Sequence, residues 1–155
     1  MNARVAYTYS DFTYDAYLAG TVELDSLGNI VTAERDFSGN MAPSAPTHYG
    51  AGSLSYSHQI SGNVTGFVRG SYHFATGMYV DDANSEKTDG WELLNTTLGV
   101  DLVFGKVNVL ASVGMNNVFD QTYAAFVNTN SASREFYEAG EPQNYFATLN
   151  LGYTF

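Results

Sequence analysis

The sequence predicts an all-β protein, an antiparallel transmembrane β-barrel segment of about six strands. Three observations lead to this prediction. Apolar and polar residues alternate with a period of two along successive segments, short turns alternate with long polar connections, and aromatic residues and glycine are abundant. The 155 residues include 12 Tyr, 10 Phe and 15 Gly, against 3 Pro and no Cys. This composition suits a protein that spaces its apolar residues along strands instead of gathering them into continuous runs.

Six strands are predicted in chain order. Each shows apolar or aromatic residues on one side and small or polar residues on the other, as Val5, Tyr7 and Tyr9 do in the first. A long polar stretch that reaches Pro46 follows the first strand. The predicted strands cover residues 3–14, 47–58, 64–79, 91–104, 107–116 and 145–155.

The last predicted strand shows the alternation most clearly. Its polar positions, such as Thr148 and Asn150, are expected to face a wet or protein-filled interior. Its apolar positions are expected to face lipid, with the terminal aromatic rings in the girdle that marks the membrane interface. The lipid-facing residues are Tyr145, Leu149, Leu151, Tyr153 and Phe155.

The connections between these strands run long, short, long, short, long. Ser61-Gly62-Asn63 and Gly105-Lys106 are the two tight turns. Transmembrane barrels have short periplasmic turns and longer extracellular loops. The sequence therefore predicts that both tight turns lie in the periplasm and that the stretches around Ser26, Asn84 and Ser131 lie outside.

Six strands do not suffice for a barrel, because the smallest single-chain bacterial barrels have about eight. An open sheet would leave backbone groups unpaired in hydrocarbon, at a cost of several kcal/mol each. The chain is therefore expected to be a fragment of a larger barrel or to close by self-association. Its first residues lack the basic and apolar regions of an export signal, which favours a fragment whose N-terminal part is missing.

The composition argues against several other classes of protein. Without cysteine, the chain has no disulfide framework and no thiolate chemistry. Its net charge of -10 argues against a nucleic-acid partner. No sequence pattern indicates a cofactor.

Candidate catalytic and metal-binding residues form no recognisable site. His48, His58 and His73 lack the close spacing of metal ligands, and Ser71 near His73 lacks an acid partner and an oxyanion hole. We therefore predict neither a metal site nor an enzyme. The acidic run 81–86 lacks the spacing of a recognised calcium loop and is interpreted as a solvated loop. Acidic residues also crowd the other predicted outer loops, including Glu23, Asp25 and Glu135.

Three segments carry a more specific signal. Residues 37–48 contain a glycine-asparagine pair followed by two prolines, and residues 116–123 read Asn-Asn-Val-Phe-Asp-Gln-Thr-Tyr. Residues 134–145 contain Gly-Glu-Pro just before the last strand. In content and order these segments resemble the C-terminal part of the β-barrel of TonB-dependent outer-membrane receptors, although Gln143 stands where arginine is usual. The positions that carry the resemblance are Gly39, Asn40, Pro43, Pro46, Asn117, Phe119, Asp120, Tyr123, Gly140 and Pro142.

The resemblance implies a complete protein with a 22-stranded barrel in the outer membrane of a Gram-negative bacterium, its lumen plugged by an N-terminal domain. Residues 1–155 would be a C-terminal portion of that barrel. The missing part would supply the other strands, the plug and the contact with the TonB complex. The implied function is active uptake of a scarce ligand, most commonly an iron-siderophore, and Leu149, Leu151, Tyr153 and Phe155 would belong to the C-terminal assembly signal. Asn116 and Asp120 are expected to bond backbone groups where the strand leaves the membrane.

Two other functions stay open from the sequence. One is a small outer-membrane barrel that closes by self-association and has a structural or adhesive role. The other is a soluble all-β binding module. Dependence on detergent would separate the soluble module from the two membrane proteins.

Overall fold

A computed structural model describes residues 1–128 and 136–155. All regular structure in these residues is β-strand, which confirms the predicted all-β class. The ten strands are β1 Asn2–Tyr9, β2 Leu18–Leu24, β3 Ile30–Asp36, β4 His48–Ser61, β5 Val64–Ala75, β6 Trp91–Phe104, β7 Val107–Asn116, β8 Ala124–Asn128, β9 Phe136–Ala139 and β10 Asn144–Tyr153.

Six of the strands form one antiparallel sheet in the order β1-β4-β5-β6-β7-β10. These correspond to the six predicted strands, and β6 has the predicted bounds. β4 pairs with β5, and β6 with β7, because a tight turn between them sends the chain straight back along the preceding strand. At Gly105 the backbone takes φ +62°, which glycine adopts without strain, and Phe104 pairs directly with Val107.

The prediction placed the ends of β1 and β5 four or five residues too far along the chain, and the end of β10 two residues too far. β1 ends at Tyr9, and beyond it only an isolated bridge joins Thr13 to Met41. Pro43 and Pro46 lie in the opposing chain, and a ladder cannot continue opposite residues that lack an N–H donor. β5 ends at Ala75, because the Thr76 side chain then accepts the hydrogen bond from the His48 N–H at 3.1 Å.

Two long connections that the sequence suggested to be irregular each contain a hairpin. β2 pairs with β3, and β8 pairs with β9. In the first hairpin Asp25 caps the turn, and Gly28 takes φ +83°. A glycine-containing turn between two short alternating runs is a hairpin signal, so this element was detectable in the sequence.

The six-stranded sheet has one apolar and one polar face. Paired residues lie on the same side of a sheet, so the register shows which residues share a face. Val68 pairs with Leu98, Leu98 with Val113, and Val113 with Ala147, which confirms the predicted alternation across four strands. Serine, threonine, asparagine and arginine dominate the opposite face, hereafter the polar face, where Arg69 pairs with Thr97.

The apolar face is open to the surroundings. Val5 is 86% exposed, Leu149 65% and Leu151 73%. The buried hydrophobic residues of the described chain are Phe37, Ala75, Met78, Val80 and Val127, and only Ala75 lies in a strand of the six-stranded sheet. Burial of apolar surface is the main favourable term for folding in water, and few apolar side chains of the described residues are buried within the chain.

The two ends of the sheet differ. The turns at residues 62–63 and 105–106 lie at one end, hereafter the turn end. The connections 10–47, 76–90 and 117–143 all leave from the other, the loop end. Across the described residues, no helix is long and apolar enough to span a membrane.

Three phenylalanine rings lie across glycines of neighbouring strands. Phe67 covers Gly99, Phe74 covers Gly50, and Phe146 covers Gly114, each from the directly paired position. A side chain at any of these glycines would overlap the ring. The absence of a side chain therefore creates the space in which the ring packs.

Candidate functional site

At the loop end, the three long connections pack against one another. Met78 and Val80 of connection 76–90 form a buried cluster with Val127 of connection 117–143. Ser44, in connection 10–47, joins both others: its N–H donates to the Tyr79 carbonyl at 2.9 Å, and its hydroxyl donates to the Val127 carbonyl at 2.8 Å. These contacts form a loop cap over one end of the sheet.

The side chain of Asn84 links two of these connections by making the two hydrogen bonds that a paired strand residue would make. Its side-chain carbonyl accepts from the Met41 N–H at 2.8 Å, and its amide donates to the Met41 carbonyl at 2.7 Å. The backbone of Asn84 is left-handed, with φ 53°, a conformation that asparagine tolerates better than most residues.

Asp82 is the polar centre of the cap. Its carboxylate accepts hydrogen bonds from the hydroxyls of Tyr14 at 2.7 Å and Tyr17 at 3.3 Å, and its carbonyl accepts from the Asn40 amide at 2.7 Å. Burial, followed by the hydrogen bond to Asp82 and its charge, raises the pKa of Tyr14 to about 12. The charge of Asp82 is also the largest cause of the raised pKa of Tyr17. Both tyrosines therefore stay protonated and hold connection 10–47 onto connection 76–90.

The β2–β3 hairpin has its own electrostatic support. The Arg35 guanidinium donates to the Glu23 carboxylate at 2.5 Å, and this bond lowers the pKa of Glu23. At the tip, the Asp25 carboxylate accepts from the N–H groups of Leu27 and Asn29 and from the Asn29 amide. The Asn29 bonds are the largest causes of the lowered pKa of Asp25. Several of the acidic residues predicted to crowd the loops thus support loop geometry.

Asn117, one of the residues that carry the resemblance, organises the exit from β7. It is 3% exposed and has a left-handed φ of 48°. Its amide donates to the carbonyls of Gln121 and Glu141, and its side-chain oxygen accepts from the Gln121 N–H. Asn117 therefore has the backbone-bonding role that we expected of Asn116 and Asp120.

Those two residues do different things. Asn116 donates to the side chain of Asn144 at 3.2 Å, which links β7 to β10. Asp120 takes a left-handed φ of 51°, and its N–H donates to the Asn117 carbonyl at 2.9 Å. The sequence predicted the kind of interaction correctly but assigned it to the neighbouring asparagine.

The other resemblance positions lie at the loop end. Gly39 takes φ +83° in a turn beside Asn40, and Phe119 is largely exposed. The Tyr123 ring lies against Gly140, leaving no space there for a side chain, and the Pro142 carbonyl accepts from the Asn144 amide. Gln143, which stands where arginine is usual in the resembled family, donates to the Val118 carbonyl at 3.1 Å.

The polar face contains a cavity of about 380 Å³ at mid-strand. Arg4 of β1 and Arg69 of β5 both line it, with polar side chains of β4 and β6 between and beside them. The Arg69 guanidinium lies 4.4 Å from the centroid of the Phe67 ring, a cation–π contact that restrains its position. Sequence reasoning missed this pair, because alternation places each arginine on the polar face but does not show that β4 brings them together.

An aromatic group stands on the polar face nearer the loop end. The Trp91 ring lies 5.2 Å from Tyr123 and 6.3 Å from Tyr49 between ring centroids. The buried indole N–H of Trp91 has no hydrogen-bond partner among the described residues. A solute that enters from the loop end would meet these rings before it reaches the arginines.

The remaining candidate residues are not brought together. His48 bonds the Tyr7 hydroxyl at 2.7 Å on the apolar face, His58 stacks on Tyr56, and His73 lies on the polar face near the Tyr49 hydroxyl. Asp81 accepts two hydrogen bonds from Ser85, and residues 1–128 and 136–155 contain no cluster of three potential metal ligands. Glu135 and Ser131 lie outside the described residues.

Aromatic residues mark both rims of the apolar face. Tyr7, Tyr9 and Tyr145 stand at the loop end, and Phe104 and Tyr153 stand at the turn end, with Phe155 beyond. Leu149 and Leu151 lie between the two rims, on the apolar face of β10. The predicted terminal group thus lies together on one exposed face.

Comparison with known proteins gives a similarity of fold. No family model matches the chain, and a search of curated proteins finds no match. The structure is similar to that of BauA, the ferric preacinetobactin receptor from Acinetobacter baumannii, with a TM-score of 0.61 and 11% sequence identity. The shared feature is the fold. The match covers 97% of this chain but only 26% of the receptor, so the chain spans about a quarter of that protein.

Proposed function

We propose that this chain is part of the β-barrel of an outer-membrane receptor that actively takes up a scarce ligand, such as a ferric siderophore. The observation that carries the proposal is the continuous apolar face of the six-stranded sheet. Glu92, near the loop end, is the only Asp, Glu, Lys or Arg that the register assigns to that face. An exposed apolar face of this kind fits contact with the hydrocarbon of a membrane.

The dimensions of the strands agree with this role. A tilted strand needs about 9–11 residues to cross the hydrocarbon core of a bilayer. β7 and β10 have 10 residues each, β4, β5 and β6 have 12–14, and the edge strand β1 has 8. Aromatic residues at both ends of the apolar face fit interfacial girdles, and the polar face fits a wet or protein-filled lumen.

The two edges of the sheet support membership in a larger barrel. β1 and β10 each have one neighbour in the described sheet, so each has a row of unpaired backbone groups. In lipid these groups must be paired, which further strands of the same barrel would accomplish. In the complete receptor we propose a plug within the lumen and a TonB complex that supplies the energy. The similarity to the fold of a ferric siderophore receptor supports this assignment.

Uptake measurements test the proposal. Cells of a Gram-negative host that make the intact protein should accumulate radioactive iron supplied as a ferric siderophore, and deletion of the protein or dissipation of the proton gradient should abolish accumulation. Membrane fractionation should place the protein in the outer membrane. Equal accumulation with and without the protein across a panel of chelates would reject a transport role. An outer-membrane protein without uptake would instead favour the structural barrel.

A further inference from the structure

Among residues 1–128 and 136–155, no acidic side chain forms an ion pair with either arginine of the polar face. In the part of the chain that the structure describes, the one ion pair joins Arg35 to Glu23 in the separate β2–β3 hairpin. Asp101 is the only acidic residue that the register places on the polar face. It lies four residues from Thr97, the partner of Arg69, or about 13 Å along the strand.

The register shows how the two arginines share one site. Arg4 pairs with Ser53, and Arg69 pairs with Ser55, so the two serines of β4 lie between the strand positions of the two arginines. Ser71 and Asn95 continue the row of Arg4 across β5 and β6. All six side chains line the same cavity of about 380 Å³.

This set of groups matches an anion. Each guanidinium offers a planar fork of donors that fits a carboxylate or phosphate, and the hydroxyls and amide add neutral donors around it. Two like charges that share one cavity repel each other until an anion lies between them. The volume is at the lower end of the range for small-molecule sites.

We propose that Arg4 and Arg69 form a binding site for an anionic solute that carries carboxylate or phosphate groups. The inference deepens the proposed function and rests on it: the ligand would be a negatively charged chelate that meets this site on its way along the wall. Arg4 and Arg69 lie five and six residues from the loop end of their strands, beyond the aromatic group of Tyr49, Trp91 and Tyr123.

The composition of the cavity favours a small solute over an acidic segment of protein. The centres of protein–protein interfaces are enriched in aromatic residues and depleted of serine. Here the side chains between the arginines are serines, with asparagine and threonine beside them. A solute with several anionic groups can satisfy these donors without apolar contacts.

Calorimetric titration of the intact protein in detergent, with citrate as the probe, tests this site. We expect saturable binding that weakens as sodium chloride is raised, because salt screens the charges. Arg4→Gln and Arg69→Gln should each weaken citrate binding about tenfold or more, and the double variant should not bind. Lys106→Gln, which removes a cation at the turn end, should bind citrate like the natural protein.

Arg69→Lys keeps the charge without the planar fork, so intermediate binding is expected. Comparison of the cooperative unfolding of each variant with that of Lys106→Gln identifies any loss caused by misfolding. Absence of citrate binding by the natural protein, or undiminished binding by the double variant, would overturn the proposal. So would arginine-dependent binding of polyglutamate in place of citrate, which would indicate an acidic protein partner. Arginine-dependent citrate binding in a protein that supports no uptake would leave the site standing and reject the transport function.

Discussion

Single glycines set how closely neighbouring strands of this sheet pack. Gly114 lies beneath the ring of Phe146, and its Cα hydrogens occupy the only space available. Gly152, one strand position from the end of the same β7–β10 pair, differs: a side-chain carbon there would meet the Asn108 side chain at an ordinary 3.7 Å.

Gly114→Ala should therefore destabilise the folded protein by about 1–3 kcal/mol, because the new methyl group displaces the ring from its packed position. Gly152→Ala serves as the matched control and should change stability by much less. Urea unfolding of both variants in lipid vesicles, followed by the mobility of the folded form on unheated gels, measures the difference. Equal midpoints would show that the ring moves aside without cost.

Tyr14 gives the loop cap a specific response to alkali. Its pKa is raised from 10.0 to about 12, so the folded state favours the protonated phenol. The stabilising contribution is complete below about pH 10 and is lost as the pH rises through about 12. Absorbance titration of tyrosinate should detect a group that titrates near pH 12 in the natural protein and is missing in Tyr14→Phe. Persistence of that late group in the variant would assign it to another tyrosine.

At the scale of a strand, the two faces should respond differently to the same charge. Thr148 and Leu149 are adjacent and exposed, but they project from opposite faces of β10. Leu149→Arg would place a cation in hydrocarbon and should cost about 2–4 kcal/mol near the bilayer midplane, whereas Thr148→Arg faces the lumen and should cost much less. Folding yields in vesicles measure both. Similar yields would mean that β10 does not face lipid.

The sequence was sufficient to predict the strands of the main sheet, because period-two alternation and tight turns are local signals. β6 has its predicted bounds, and β10 differs by one or two residues at each end. Local signals could not show that β1 ends early, since this depends on prolines more than 30 residues further along the chain. Local signals also could not show that Arg4 and Arg69 line one cavity, because this depends on the register of β1, β4 and β5.

At the scale of the molecule, the orientation of the sheet in a membrane can be tested directly. The chain has no cysteine, so a single introduced cysteine reports its own position. Ser26→Cys, at the tip of the β2–β3 hairpin, should react with an impermeant maleimide in whole cells. Lys106→Cys, in the turn between β6 and β7, should react only after the outer membrane is breached. The reverse labelling pattern would invert the orientation of the barrel.

The contrast between long and short connections also determines where the chain tolerates insertions and deletions. The apolar face contains the even-numbered residues of β6 and the odd-numbered residues of β7. The numbering changes from even to odd because the turn between the strands has two residues, Gly105 and Lys106. Removal of one of them would exchange the faces of β7 relative to β6, because a shift of one residue moves every side chain to the opposite face. The connections of 38, 15 and 27 residues can absorb such a change in length before the next strand begins. Length variation in natural relatives should therefore be confined to the loop end, while the turn end keeps a constant residue count.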